Sequence, residues 1–315
     1  MALPERPNVA DLQTPTDDRS HNDNDLYVAV DKMKPHSDST TRTYSYCLER
    51  WYKWSHSDDN THWNHGELED HIGGFVSSMG NRKISVATIS QHICALCWLF
   101  GSDRVRTPTI REQLSRYAYQ NGRPANKAKA IGIEELKALV NATRSQRNKA
   151  LLSIGWAGAL RASEIVAIRR SDLSEATDGF ELQIRRSKTD QRGKGKIIPL
   201  PYYHLGHADI CPARNLETYL LRQADLIEEP PAEDRIFPVC TKTITRIICR
   251  ASYLAKLPAS YSSHSLRRGL ATTAARNGVD DRTIMRHGRW RSRDVVDGYV
   301  EEGTLWSKTA LDFLR

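Results

Sequence analysis

Six residues of this chain stand out because their chemical types together suit an attack on a phosphodiester. They are Arg161, Lys188, His264, Arg267, Trp290 and Tyr299. Each arginine offers a planar fork of donors that matches phosphate oxygens two at a time and keeps its charge. The lysine is a cation that can also release a proton, and a tyrosine hydroxyl can serve as a covalent nucleophile. The set therefore predicts chemistry at a phosphate whose negative charge grows as an oxygen attacks it.

Two short spacings would bring members of this set and one carboxylate together. Arg161 and Glu164 lie three residues apart, so on a helix they share a face where the carboxylate could hold the guanidinium. His264 and Arg267 have the same spacing. The two serines before His264 predict the start of a helix, with hydroxyls to cap it. Because helix N-termini favour anions, the backbone there would assist the same phosphate.

The order of these motifs resembles that of the tyrosine site-specific recombinases, the phage integrase family. The resemblance is carried by residues 157–165, 186–189, 264–267 and 288–290, and by Tyr299. It extends upstream to residues 86–92, which are similar to a DNA-facing helix of the family's N-terminal domain, and so covers about residues 39–314. Tryptophan at position 290, where many members carry histidine, is similar to the Cre-type members in particular.

The resemblance implies a role for each residue of the catalytic set. Tyr299 would attack the scissile phosphate and form a 3′-phosphotyrosyl link, which frees a 5′-hydroxyl. Arg161 and Arg267 would bind the two non-bridging oxygens, with Glu164 beside them. Because the covalent link conserves the energy of the broken bond, neither a metal nor another cofactor is expected. As isolated residues, the arginines would equally suit salt bridges and the tyrosine would suit packing.

The roles of the remaining candidates have open alternatives. Lys188 would protonate the leaving oxygen as a general acid, although other lysines of the same glycine-rich turn compete for this role. His264 would accept the tyrosine proton or donate to a phosphate oxygen, and Trp290 would supply an indole N–H donor. Arg289 takes a position that is glycine in the Cre-type members of the family, and His287 is an alternative to Trp290 for the phosphate contact.

A second group of residues would contact DNA away from the reacting phosphate. These candidates are Gln91, His92, Arg123, Lys127, Lys129, Lys242 and Arg246. By resemblance, Gln91 and His92 face a groove, where glutamine suits adenine, and Lys242 takes the place of a base-contacting arginine. The cations at 123, 127 and 129 would follow phosphates if two domains clamp a duplex, although a solvated linker would look identical. Phosphate contacts position a protein without specifying sequence.

Composition and periodicity divide the chain into four parts. Residues 1–24 are polar and predict a flexible arm, and 25–120 predict an all-helical domain of four or five helices. By resemblance this is the core-binding domain that contacts DNA, although a helical bundle with no DNA role would show the same pattern. Residues 121–131 predict a linker, and 132–315 a mostly helical catalytic domain with a small antiparallel sheet. Its apolar end, 304–314, would fold onto its own domain or, by resemblance, dock on a neighbouring subunit. The expected fold is mainly α, a C-shaped clamp on DNA.

Charge and cysteine usage narrow the class of protein. A net charge of +8 over 315 residues permits a nucleic-acid partner without establishing one. No apolar run is long enough for a transmembrane helix and the start lacks a signal-peptide region, so we expect a cytoplasmic protein without a membrane partner. Cys94 and Cys97 form a C-x-x-C motif that can mark zinc or a redox pair. Apolar residues at helical spacing around them favour a packed helix and no metal site.

The expected function is site-specific DNA recombination by a bacterial or phage-encoded enzyme. Four protomers would pair two double-stranded sites with inverted repeats and exchange strands through a Holliday junction, without a small-molecule substrate. A type IB topoisomerase or a resolvase would use the same chemistry without pairing two sites. A sequence-specific DNA-binding protein without chemistry is a further alternative. The target sequence and the choice among integration, excision, inversion and dimer resolution are not indicated by the residues.

Overall fold

The computed structural model describes residues 38–56, 68–122, 128–185, 195–203, 206–225, 231–257 and 261–300. The chain divides into two compact units, Met1–Ala125 and Asn126–Arg315, and each has its own apolar core. The division falls inside the segment 121–131, whose composition predicts a linker. Among the described residues, no helix is long and apolar enough to cross a membrane.

The described part of the first unit is entirely helical, as predicted. Its helices are α1 (Asp38–Ser55), α2 (Leu68–Asn81), α3 (Val86–Phe100), α4 (Ser102–Val105) and α5 (Pro108–Asn121). Helix α3 begins where the Ser85 side chain accepts a hydrogen bond from the Thr88 amide, and α5 has proline in its first turn, where no amide donor is required. The apolar stripes of α1, α2 and α3 meet in one core, where Leu48, Ile72 and Ile93 are fully buried.

The second unit combines helices with one small sheet. Its elements are α6 (Ile133–Ala142), α7 (Gln146–Ala157), α8 (Ala162–Ile165), β1 (Leu173–Ala176), β2 (Gly179–Ile184), β3 (Lys196–Pro201), α9 (Pro212–Ala224), α10 (Thr241–Leu254), α11 (Ser263–Arg276), α12 (Asp281–Gly288) and α13 (Arg293–Tyr299). Single turns of 3-10 helix lie at Arg170–Asp172 and Ala208–Ile210. The predicted fold class, mainly helical with a small antiparallel sheet, is confirmed.

The sheet has the order β1-β2-β3, and both pairs of strands are antiparallel. Alternation of apolar residues predicts β2 and β3, and Leu182 of β2 pairs with Ile198 of β3 on the buried face. Strand β1 was not predicted, because its sequence, Leu-Ser-Glu-Ala, does not alternate between apolar and polar residues. In the structure its residues are mostly exposed. Lys188 lies in the connection between β2 and β3, outside the described residues.

Helix α7 provides the rigid base from which the candidate site begins. Its residues from 150 to 157 are all buried, and the helix packs against α6, α9 and α11. The indole of Trp156 donates to the carbonyl of Ile131 at 2.8 Å, and Gly269 of α11 approaches so closely that a Cβ there would lie 2.6 Å from Trp156 Nε1. A helix buried on all sides cannot shift without disturbing its neighbours. The turn that follows α7 is therefore held in place.

Candidate active site

The turn between α7 and α8 has an unusual backbone that two arginines hold. Ala159 has φ of 45°, a left-handed conformation that residues with a side chain rarely adopt. Its carbonyl oxygen accepts hydrogen bonds from Arg267 Nη1 and, at 3.2 Å, from Arg289 Nη2. Because such conformations persist only where the surroundings determine them, these two cations define the path of the chain towards Arg161.

Arg161 and Glu164 are in contact, as predicted, but not because they share a helical face. Arg161 has an extended backbone at the residue that precedes α8, and its amide donates to Glu164 Oε2 at 2.9 Å. Its side chain donates from Nη1 to Glu164 Oε1 at 2.7 Å. The carboxylate therefore caps the helix and holds the guanidinium at the same time. This arrangement positions Arg161 more tightly than a pair on a helix surface would.

Arg289, which was not among the predicted site residues, is the second cation on Glu164. Its Nη2 donates to Glu164 Oε2 at 2.8 Å, where the carboxylate side chain is only 1% exposed. Burial by itself would raise the pKa of Glu164, but the Arg289 charge and the hydrogen bonds from Arg161 hold that pKa below its usual value. Glu164 is thus an anion with two buried or half-buried arginine partners.

Arg267 is fully buried, and it lies at the centre of the candidate site. It donates to the carbonyls of Ala159 and Gly288, the latter at 2.6 Å from Nη2. Its Cζ lies 4.3 Å from the ring centroid of Trp290 and 5.4 Å from that of Tyr299. Burial, followed by the charges of Arg161 and Arg289, lowers its pKa to about 10, so the group still carries its charge at neutral pH.

Tyr299 ends helix α13 beside Arg267 and Trp290. The ring centroids of Trp290 and Tyr299 are 5.2 Å apart, with the planes inclined by 55°. Helix α13 is tied to α11 by Arg268, whose Nη1 donates to the carbonyl of Gly298 at 2.7 Å. The half-buried Tyr299 packs on a small apolar cluster that includes Val296. The fold therefore brings Tyr299 to the arginines within a single unit of the chain.

Three donors in this site have no hydrogen-bond partner in the described part of the chain. They are Arg267 Nε, the indole Nε1 of Trp290 and the Nε of Arg289, and all three are buried. Leaving a buried donor unpaired costs roughly 1–3 kcal/mol. A bound anion with several acceptor oxygens would satisfy such donors, and it would also balance the surrounding guanidinium groups.

The other catalytic candidates are placed less centrally. His264 is the second residue of α11 and is exposed, one helical turn before Arg267. His287 Nε2 lies 2.7 Å from the carbonyl oxygen of Ala157, and because a carbonyl only accepts, this nitrogen carries the proton. Burial, followed by nearby arginine charges, lowers the pKa of His287. His287 is thus held against α7, while Trp290 covers Arg267.

The candidate DNA contacts differ in exposure. Lys242 and Arg246 are exposed on one face of α10, and the opposite face buries Ile244 and Ile248 in the core. Lys129 is also exposed. Arg123 and Lys127 lie outside the described residues, as does the apolar segment 304–314.

Gln91 and His92 are neighbours on α3 but face in different directions. Gln91 is exposed, whereas His92 is 3% exposed and packs near Tyr46 and Phe75. The Nδ1 of His92 donates to the carbonyl of Thr88 at 2.9 Å, and burial lowers the pKa of His92. This placement speaks against the predicted base contact from His92, because its ring belongs to the core of the first unit.

The family to which this chain belongs follows from its match to a protein-family model. The model of the phage integrase family matches residues 129–304, more than half of the chain and nearly all of the described second unit. The chain belongs to the phage integrase family. This membership confirms the predicted class of enzyme, a tyrosine recombinase that acts on DNA.

Individual members of the integrase family show how far the similarity extends. An integrase/recombinase xerD homolog of Selenomonas ruminantium is 36% identical over 175 residues, which are 53% of this chain and 50% of the relative. The chain thus matches about half the length of that relative. The recombinase Cre of Escherichia phage P1 is 26% identical over 277 residues, 79% of this chain and 80% of Cre. The identity is therefore greater to the xerD homolog, and the match is longer to Cre.

A solved structure extends the likeness in fold to both units. A lambda integrase tetramer bound to a Holliday junction matches with a TM-score of 0.63, 15% identity, and coverage of 92% of this chain and 80% of that one. At this identity the likeness concerns the integrase fold alone.

Proposed function

We propose that this chain cleaves and rejoins double-stranded DNA at specific sites, through a 3′-phosphotyrosyl intermediate on Tyr299 and a Holliday junction. The observation that carries the proposal is the juxtaposition of the Tyr299 ring with the buried Arg267 guanidinium, 5.4 Å apart. A tyrosine packed beside a desolvated cation is poorly explained by core packing alone. It is well explained if the phenol attacks a phosphate that the cation binds.

The net positive charge of the site supports a phosphate as the group that it binds. Arg161, Arg267 and Arg289 converge around Glu164, which leaves two positive charges in excess among these four side chains. Burial and then the neighbouring arginine charges lower the pKa of Arg267 and of Arg289, so an added anion relieves this repulsion. As the phenol oxygen attacks, the phosphoryl oxygens gain charge, and preorganised cations stabilise that state more than the ground state.

The proposed reaction is a pair of transesterifications. The Tyr299 oxygen bonds to phosphorus while the bond to the 5′ oxygen breaks, and Lys188 supplies the proton that the leaving oxygen needs. His264 accepts the tyrosine proton or donates to a phosphoryl oxygen. The 5′-hydroxyl of another strand then attacks the phosphotyrosine and restores both the phosphodiester and the phenol. Each step exchanges one ester for another, so no external energy source is required.

We further propose a Cre-type version of the site, with Trp290 as the neutral donor. The buried indole lies directly on Arg267 and its N–H is unpaired among the described residues, whereas His287 is occupied by Ala157. Residues outside this site would bind the DNA. The exposed face of α10 with Lys242 and Arg246 suits a groove or its phosphates.

The assembly is proposed as a homotetramer on two inverted-repeat sites, acting in a bacterial or phage-infected cytoplasm. Support comes from the fold shared with lambda integrase, which has been solved as a tetramer on a Holliday junction. Gln91 would contact bases, and Lys129, with Arg123 and Lys127, would follow phosphates.

The deciding experiment removes only the nucleophilic oxygen. Wild-type protein is used to capture covalently bound duplexes from a random-sequence pool of inverted repeats, and the captured duplex becomes the substrate. We expect Tyr299→Phe to bind this duplex with unchanged affinity and to form no denaturant-resistant adduct. Tyr119→Phe is the matched control, because this tyrosine is 93% exposed near the end of α5, and it should behave as wild type.

Further outcomes of the same experiment separate the rival functions. If the wild type captures no duplex covalently, the chain is a DNA-binding protein without this chemistry. If it forms adducts but converts plasmids with one site to product as readily as plasmids with two sites, it acts as a topoisomerase or resolvase. A recombinase yields products only when two sites are present.

A further inference from the structure

Arg289 occupies a backbone position that suits glycine, yet its side chain is buried. It follows the last residue of α12 with φ of 60° and ψ of 41°, a left-handed conformation. Glycine adopts this conformation without steric cost, and a long side chain does not. Contacts made by the Arg289 side chain must therefore offset the backbone strain, so the position of this side chain is informative.

Three of the four contacts of the Arg289 side chain connect the end of α12 to the segment that carries Arg161. The two terminal nitrogens of Arg289 donate to the carbonyls of His287 (3.1 Å), Gly158 (3.1 Å) and Ala159 (3.2 Å), and to Glu164 Oε2 (2.8 Å). A guanidinium reaches these acceptors at once because its donors lie in one rigid plane. A lysine ammonium, which is a point charge with three donors, cannot reproduce this arrangement.

Arg289 also reduces the extent to which Glu164 neutralises the charge of Arg161. If Glu164 had Arg161 as its sole partner, the carboxylate would neutralise that guanidinium and compete with a phosphate for it. With the Arg161 guanidinium 2.7 Å from Oε1 and the Arg289 guanidinium 2.8 Å from Oε2, the carboxylate is shared between two cations. Glu164 can then orient Arg161 while the pair of arginines keeps an excess positive charge. Orientation and charge are thus provided by different side chains.

We propose that Arg289 is a positioning residue for strand cleavage, which holds Glu164 and the turn at Gly158 and Ala159 so that Arg161 faces the phosphate. The inference rests on the proposed function. We assign the phosphate contact to Arg267, whose guanidinium lies 5.4 Å from the centroid of the Tyr299 ring, and the positioning role to Arg289, whose terminal nitrogens are bonded to Glu164 and to the turn. Its effect is transmitted through Glu164, and this is what the test must detect.

The test compares Arg289→Gly and Arg289→Lys with wild type on the covalently captured duplex. Arg289→Gly relieves the backbone strain while it removes every side-chain contact, and Arg289→Lys keeps the charge. At saturating protein we expect both to form the phosphotyrosyl adduct about 10- to 100-fold more slowly, since a displacement near 1 Å can cost this much. Arg286→Lys, an exposed arginine of α12, is the matched control and should keep the wild-type rate.

Two readouts distinguish positioning through Glu164 from a loss of structure. Removing Arg289 takes away a charge that lowers the pKa of Glu164, so this pKa rises and the acid limb of the cleavage rate moves to higher pH in Arg289→Gly. In a Glu164→Gln background, Arg289→Gly should cost much less than it does in wild type, because the group it acts through is already neutral.

The possible outcomes separate this inference from the proposed function. If wild type forms no adduct, the proposed function itself fails. If wild type cleaves but both variants match it, or if their loss is additive with Glu164→Gln and leaves the pH profile unchanged, the role of Arg289 is refuted. If thermal denaturation shows that Arg289→Gly does not fold, Arg289→Lys decides by its rate and by the same double-mutant comparison.

Discussion

Replacing Gly288 with alanine tests whether the indole of Trp290 must lie where it does. Gly288 is the last residue of α12 and its φ is not positive, so the backbone accepts alanine. In a helix, alanine is more favourable than glycine by roughly 0.5–1 kcal/mol. A Cβ on Gly288, however, would lie 1.7 Å from Cζ3 and 2.2 Å from Cε3 of Trp290. The two effects have opposite signs, and their sizes decide the outcome.

The clash is expected to exceed the gain in helix propensity. Carbon atoms in contact are about 3.5–4.0 Å apart, so the ring must move by roughly 2 Å. Overpacking of this kind costs about 1–3 kcal/mol. The melting temperature of the second unit should therefore fall by several degrees, since about 1 kcal/mol corresponds to roughly 2–4 °C at this size. Because the ring supports Arg267 and Tyr299, adduct formation should slow by about 100-fold.

The matched control is Gly298→Ala, which places the same methyl group on a neighbouring helix. A Cβ on Gly298 of α13 would meet no atom within 4 Å, although the residue is adjacent to Tyr299. This variant should keep or slightly raise the melting temperature and should cleave the captured duplex normally. Thermal denaturation and single-turnover adduct formation measure both quantities. If Gly288→Ala equals Gly298→Ala in both assays, the position of Trp290 has no role in arranging the site.

Two further predictions concern groups that face Arg289. Glu164→Gln leaves buried guanidinium groups without their carboxylate, and the free energy of unfolding in urea should fall by about 3–5 kcal/mol at neutral pH. The folded protein lowers the pKa of Glu164, so the loss of unfolding free energy is complete above the pKa of an unfolded glutamate. It disappears as the pH falls through the lowered pKa of the folded state. A loss that does not depend on pH would contradict this prediction. His287→Gln keeps a donor for the Ala157 carbonyl and should leave the rate of adduct formation near that of wild type. A loss of roughly 100-fold or more would instead assign the phosphate contact to His287.

Local patterns in the sequence predicted most of the elements that position the site. Apolar residues at helical spacing predicted the helices of the first unit, and alternation predicted strands β2 and β3, because both patterns depend on residues a few positions apart. The contact between Arg161 and Glu164 was predicted from their spacing, but the structure forms it through a helix cap. The apolar stripe of α3, with Ile89 and Ile93, indicated its buried face but did not show that the polar ring of His92 would be buried there too. For that reason Gln91 and His92 were equivalent candidates until the fold separated them.

The sequence by itself determined the chemistry that this protein can perform, because the types and order of Arg161, Arg267, Trp290 and Tyr299 suit a phosphodiester and match one family. Only the tertiary structure decided which side chains share their charges. Arg289 meets Glu164 across 125 positions of the chain, and Arg267 meets the carbonyl of Ala159 across 108. The physical reason is that burial and long-range pairing are set by how helices pack, whereas spacing along the chain reports only on close neighbours.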